Sequence, residues 1–194
     1  MMRKFIILFL LFNVKAFFVF SQIVDDSTNV KFFFTIGTDL AKKYGENVYF
    51  FELSGGFDIQ GIEIEGFGKS MLSGLTYKDD SLEKNMDLTY GGIMINYFPW
   101  YDKVISPFGG IGIGVGNVSL SDVMNLGGNS YVKRFASDDL TFVMFQAGVD
   151  IRSFNWLYIG LSIKYEEAYG LQLYQLNNKD FTGFAGSFAI KLKF

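Results

Sequence analysis

The stretch that decides the fold is Phe184-Ala185-Gly186-Ser187-Phe188-Ala189-Ile190-Lys191-Leu192-Lys193-Phe194. Phe184, Gly186, Phe188, Ile190, Leu192 and Phe194 fall on one face; Ala185, Ser187, Ala189, Lys191 and Lys193 fall on the other. A period of two is the signature of a β-strand with two unlike faces. The same alternation returns in 157–166, where Leu157, Ile159, Leu161, Ile163 and Tyr165 oppose Tyr158, Gly160, Ser162, Lys164 and Glu166. It returns again where Phe51, Leu53 and Phe57 oppose Glu52, Ser54 and Asp58, and where Ile62 and Ile64 oppose Glu63 and Glu65. Ile111, Ile113 and Val115 oppose Gly110, Gly112, Gly114 and Gly116.

Working outward, strands are expected near 31–40, 47–58, 61–72, 86–98, 104–118, 139–151, 156–167 and 181–194. The connections alternate in length. Residues 58–61, 99–103 and 152–155 read as tight turns, while 41–46, 73–85, 119–138 and 168–180 read as longer polar loops. Strands of ten or more residues exceed the usual ~5–6 and match the ~9–11 of a tilted membrane-spanning strand. The expected fold is therefore all-β: an eight-stranded antiparallel up-and-down transmembrane barrel, with short turns at one end and longer loops at the other. Phe98, Trp100, Tyr101, Phe154, Trp156 and Phe194 cluster at the short-turn end, where a girdle of aromatic rings would meet lipid headgroups. Tyr49, Tyr90, Tyr165 and Tyr169 would form a second ring at the other end.

Ahead of this region, Arg3 and Lys4 precede the apolar run 5–12, and Val19 and Ser21 suit the small-residue positions of a cleavage site. Residues 1–21 are expected to be a secretory signal peptide, leaving 22–194 as the barrel domain. Removing Arg3, Lys4 and Lys15 leaves 14 basic residues against 20 acidic.

Composition narrows the chemistry. The 194 residues contain no Cys and no His, which excludes disulfides, thiolate sites, a Ser-His-Asp triad and a three-His zinc site. A net charge of −3 argues against nucleic acid as a partner. The glycines of 109–116 recur inside a strand rather than opening a helix, so no dinucleotide loop is expected. Asp79, Asp80, Glu83 and Asp87 lack the spacing of a calcium loop and read as a solvated loop. No cofactor, no metal and no catalytic residue is assigned.

The most unusual feature is a set of charges on the inward rows: Glu52, Asp58, Glu63, Glu65, Lys69, Asp150, Lys164, Glu166, Lys191 and Lys193. An eight-stranded interior has room for side chains and little else, so these are expected to form a plug of paired charges. Desolvation makes an unpaired charge there costly, whichever role the set plays. The rival reading of the same residues is a gated ion or proton path.

In order along the chain, Tyr97-Phe98-Pro99-Trp100, then 106–114, Gln146-Ala147-Gly148-Val149-Asp150, 159–165 and the aromatic Phe194 resemble a known group. The chain resembles the small eight-stranded outer-membrane β-barrels, the OmpA/OmpX-like outer membrane protein β-barrel domain, over residues 30–194. The resemblance implies the bacterial outer membrane as location, its lipid bilayer as surroundings, and barrel-assembly machinery reading the last strand. It transfers no catalytic residue. The expected role is structural or surface-interacting and adhesin-like, with an unidentified extracellular ligand held by the long loops. A narrow porin-like channel is the alternative, and an outer-membrane enzyme comes behind both.

Overall fold

The computed structural model describes residues 30–72, 75–79, 82–126, 129–173 and 176–194, with backbone alone for 76–79, 82–84, 122–126 and 129–135. The expected signal peptide, residues 1–21, lies outside the described residues, as does Asp80 of the acidic loop. The strands are β1 (Val30–Lys43), β2 (Glu46–Ile59), β3 (Ile62–Met71), β4 (Leu75–Asp79), β5 (Leu82–Tyr97), β6 (Ile105–Leu126), β7 (Asn129–Phe154), β8 (Leu157–Tyr169) and β9 (Gly183–Lys193). Among the described residues one short helix, α1 (Asn178–Phe181), precedes β9.

Every pairing is antiparallel, and the order runs β3-β2-β1-β9-β8-β7-β6-β5-β4. A further pairing of β3 with β5 closes the ring. Because β3 and β4 bind successive parts of β5, they are one broken wall position, and the barrel has eight walls. Closure leaves no free edge around the barrel itself. Outward rows are apolar: Phe34, Ile36 and Leu40 on β1, Ile111, Ile113 and Val115 on β6, and Leu161 and Ile163 on β8 are all exposed. Those bands give way to polar residues at one level, at Lys42, Asp87, Asn117, Asp139 and Glu167. The outward row of β8 from Leu157 to Tyr165 thus has the ~9-residue length that crosses a bilayer.

Glycine on the inner face of β6 lets the neighbouring wall approach. A methyl group added at Gly116 would lie 2.5 Å from Cβ of Tyr90, and one at Gly112 would lie 2.9 Å from the sulfur of Met94. Both partners point into the lumen and are buried. The alternating glycines therefore make space for large residues across the strand pair.

The long-loop end departs from expectation. The segment 119–138 is not a loop: β6 and β7 run on as a paired hairpin to Leu126↔Asn129, with a register shift between Leu120 and Ser121. Inward Val118, Leu120 and Leu140 are buried, so burial beyond the membrane band carries the strands onward. The expected loop 73–85 contains β4, paired to the start of β5. The expected loop 41–46 is a two-residue turn, Tyr44-Gly45, with φ of 49° and 79°. Positive φ at both central residues matches the twist of a tight hairpin. β9 begins at Gly183 rather than at 181, because Phe181 belongs to α1 and is fully buried.

Candidate functional site: the filled lumen

Each inward row places every second side chain in the lumen, and the eight rows bring two unlike populations together. Towards the long-hairpin end the interior is apolar, built on Phe50, Leu88, Leu120, Phe142, Leu171 and Phe181. The rest of the lumen is dominated by charged and polar side chains. Among the described residues, seven carboxylates, of Asp39, Glu52, Asp58, Glu63, Glu65, Asp150 and Glu166, are buried with five ammonium groups, of Lys43, Lys69, Lys164, Lys191 and Lys193.

The charges form two clusters. In the one beneath the apolar cap, Lys69 Nζ lies 2.5 Å from Asp39 Oδ2, 2.9 Å from Glu166 Oε1 and 3.2 Å from Glu52 Oε2. Lys164 Nζ reaches Glu52 Oε2 at 2.6 Å and Asp39 Oδ2 at 3.3 Å. Lys43 Nζ donates to Glu166 Oε2 at 2.8 Å and to the Phe181 carbonyl at 2.5 Å, tying α1 to the network. Tyr90 joins the two regions: its hydroxyl donates to Glu166 Oε1 at 2.7 Å while its ring lies 4.5 Å from that of Phe142.

The second cluster sits towards the short turns. Lys191 Nζ contacts Asp150 Oδ2 at 2.6 Å and Glu63 Oε2 at 2.8 Å. Lys193 Nζ contacts Asp58 Oδ2 at 2.6 Å and Glu63 Oε1 at 2.9 Å. Asp58 Oδ1 accepts the Gly61 N–H at 2.7 Å, so the same carboxylate braces the β2–β3 turn. The lysine heads also face rings, with Lys191 Nζ 4.9 Å from the Phe98 centroid and Lys193 Nζ 5.3 Å from that of Tyr158. Buried charges of this kind persist only when paired and further hydrogen-bonded.

The structure places all ten inward charges named from the sequence in the lumen, and adds Asp39, Lys43 and Tyr90 to them. Lys43 escapes a sequence reading that ends the first strand at 40, although it keeps even spacing with Asp39 and Ala41. Tyr90, expected on the outer ring, is corrected: it is 5% exposed and faces inward. Phe98 is also corrected. It is 3% exposed and stacks on Phe108 at 4.8 Å, because it continues the inward row of Met94 and Asn96, while Tyr97 takes the outward position. Trp100, Tyr101, Phe154, Trp156 and Phe194 are exposed at the short-turn end, with the Phe154 and Trp156 rings stacked at 5.9 Å. Tyr49 and Tyr169 are exposed at the other end. Among the described residues no group of three Asp or Glu is placed to share a metal ion.

The antiparallel ring of eight walls has counterparts among solved structures. Neisserial surface protein A aligns with a TM-score of 0.54 at 13% identity, covering 84% of this chain and 94% of that one. The outer membrane protein OprG of Pseudomonas aeruginosa aligns at 0.53 and 11%, covering 85% and 95%. A major outer membrane protein of Thermus thermophilus aligns at 0.52 and 8%, covering 84% and 99%. The fold is that of a small outer-membrane β-barrel. No family model and no curated protein matches the chain. Side chains of the inward rows occupy most of the lumen.

Proposed function

We propose that this protein is a non-enzymatic, non-conducting barrel of the bacterial outer membrane that displays its long hairpins at the cell surface. The observation that carries the reading is the filled lumen: five lysines cross-linked to carboxylates below a buried apolar cap. A pore of this diameter would have to break those pairs to pass a solute. Export by a cleaved signal peptide at residues 1–21, with 22–194 as the barrel, fits the charge and apolar pattern of that segment. Trp100, Tyr101, Phe154, Trp156 and Phe194 serve as the headgroup girdle, in keeping with their exposure at one end. Assembly machinery reads the outward aromatic row of β9.

The projecting β6–β7 hairpin is the part available to recognise an extracellular ligand, since a rigid scaffold lets its protruding segments vary. The test is to express the full chain, recover it from the outer-membrane fraction, and compare its binding to envelope and host-surface ligands with that of a variant lacking 119–138. Recovery in the inner membrane, or identical binding by the shortened variant to every ligand bound, would contradict this reading.

A further inference from the structure

The outer wall of the barrel is not uniformly convex. An apolar groove of about 600 Å³ crosses β1, β9, β8 and β7 at the level of Leu40, Gly186, Ile163 and Ala147, with Tyr49 of β2 at one end. Two short residues open it on rows that otherwise carry large apolar side chains. Gly186 stands between Phe184 and Phe188, which are 67% and 45% exposed, and Ala147 stands between Phe145 and Val149. No neighbouring wall requires glycine at 186. A methyl group there would meet nothing within 4 Å, unlike one at the inward Gly112 or Gly116, and the backbone is ordinary strand. The missing side chain therefore shapes the outer surface alone.

The groove lies in the lipid-facing band, where an empty notch would forfeit dispersion contacts. In hydrocarbon no hydrophobic force selects between apolar surfaces, so fit and polar contacts decide which molecule stays. The polar contact is at the rim. Lys42 is exposed on the outward row of β1, two positions above Leu40, where the apolar band gives way. Of Lys42, Asp87, Asn117, Asp139 and Glu167 at that level, it is the one cation. The Tyr44 N–H donates to the Asp180 carbonyl at 2.6 Å, which holds α1 against the end of β1 and brings the exposed Lys179 to the same side of the rim. Among the described residues neither lysine has a carboxylate within ion-pair distance.

We propose that the groove holds an acyl chain of an anionic, phosphate-bearing lipid from the leaflet next to the long hairpins, with Lys42 and Lys179 receiving the phosphate. An ammonium binds phosphate as a point charge, and basic groups at a membrane surface favour anionic lipid. Asp139 and Glu167, above the far walls of the groove, repel such a headgroup and confine it to the β1 and β9 side. A flexible chain can follow a groove that crosses tilted strands. A second barrel seated on the same patch by two-fold symmetry would bring like charges together, Lys42 and Lys179 of each copy standing at one level. The site requires membrane embedding alone and is independent of what the hairpins bind.

The experiment refolds the full barrel in phosphatidylcholine vesicles that carry a trace of either phosphatidylglycerol or phosphatidylcholine with a photoactivatable group in the acyl chain. Labelled residues are then located by peptide mass spectrometry. With the phosphatidylglycerol probe, labelling at Leu40, Ile163 and Phe188 should exceed that at Ile93 and Ile113, exposed on β5 and β6, about fivefold. The phosphatidylcholine probe should lose most of that excess. Gly186→Leu fills the notch and should remove the excess for both probes. Replacing Lys42 and Lys179 together by Gln should erase the difference between the two lipids. Gly68→Leu, equally open and outward but outside the groove, should change nothing. Even labelling around the wall would overturn the proposal, and so would equal enrichment of both probes in the wild-type barrel. Cross-links between two barrels at the groove would assign it to a second copy instead. Should Gly186→Leu fail to refold, an undiminished preference for phosphatidylglycerol in the double lysine variant would overturn the site as assigned.

Discussion

Replacing Lys191 by Met probes the plug at its most one-sided link. Lys191 binds Asp150 and Glu63, but the two carboxylates do not depend on it equally. Glu63 keeps Lys193 at 2.9 Å, whereas Asp150 has no other lysine partner among the described residues and is 4% exposed. Lys191→Met therefore strands Asp150 in a site that water barely reaches. Breaking a buried pair from one side costs about 3–5 kcal/mol, and the lower end is taken here because Met keeps an apolar stem of similar length, although the ammonium's contacts with the Phe33 and Phe98 rings are lost with the charge. A loss of about 3 kcal/mol is roughly a 150-fold change in the unfolding equilibrium. Asp150→Asn leaves Lys191 paired to Glu63 and should cost less, about 1–2 kcal/mol. The double variant removes both halves of the pair and should be more stable than Lys191→Met alone, which requires a coupling larger than the Asp150→Asn cost, about 2–3 kcal/mol. Urea unfolding in lipid vesicles, followed by tryptophan fluorescence, measures all four corners of the cycle. Additive single costs would mean that the 2.6 Å contact carries no interaction energy and that the plug argument is wrong.

Three further outcomes follow from the same geometry. Ile163→Lys and Ile190→Lys, on the outward face of β8 and β9, should each destabilise the refolded barrel by about 2–4 kcal/mol near mid-bilayer and by ~0–1 near an interface; a harmless Ile163→Lys would mean the faces are reversed. Tyr90→Phe removes the hydrogen bond to Glu166 and should cost about 1.5–3 kcal/mol in the same unfolding assay, and a neutral result would remove Tyr90 from the network. Proteinase K added to intact cells should cut within 119–138 and spare 99–103; cleavage confined to the short turns would invert the orientation.

Much of the fold is legible in the sequence because a narrow barrel wall obeys one rule, an apolar residue outward and a small or charged one inward. The rows of 157–166 and 184–194 display it without interruption, so their faces follow from the sequence. The rule fails where an element's end is misjudged. Closing the first strand at 40 hides Lys43, two positions beyond Ala41 on the same row, and with it the link to Glu166 and α1. Phe98 groups with its neighbours Trp100 and Tyr101 by sequence proximity, although its parity with Asn96 sets it inside. The β6–β7 hairpin escapes the sequence for a different reason. Lipid no longer enforces alternation beyond the membrane band, and the strands continue because Val118, Leu120 and Leu140 bury themselves in the cap. Pairing between particular lysines and carboxylates is beyond sequence, since Lys164 meets Glu52 across the lumen from a strand 112 residues away.

A lumen closed by its own side chains should pass no ions. Single-channel recording of the purified full-length barrel in a planar bilayer, at about 1 M potassium chloride, tests it most directly. The wild-type barrel should give no resolved conductance steps, because ions would have to pass both the paired lysines and the apolar cap. Steady, reproducible steps from wild-type protein, scaling with the number of barrels inserted, would contradict it.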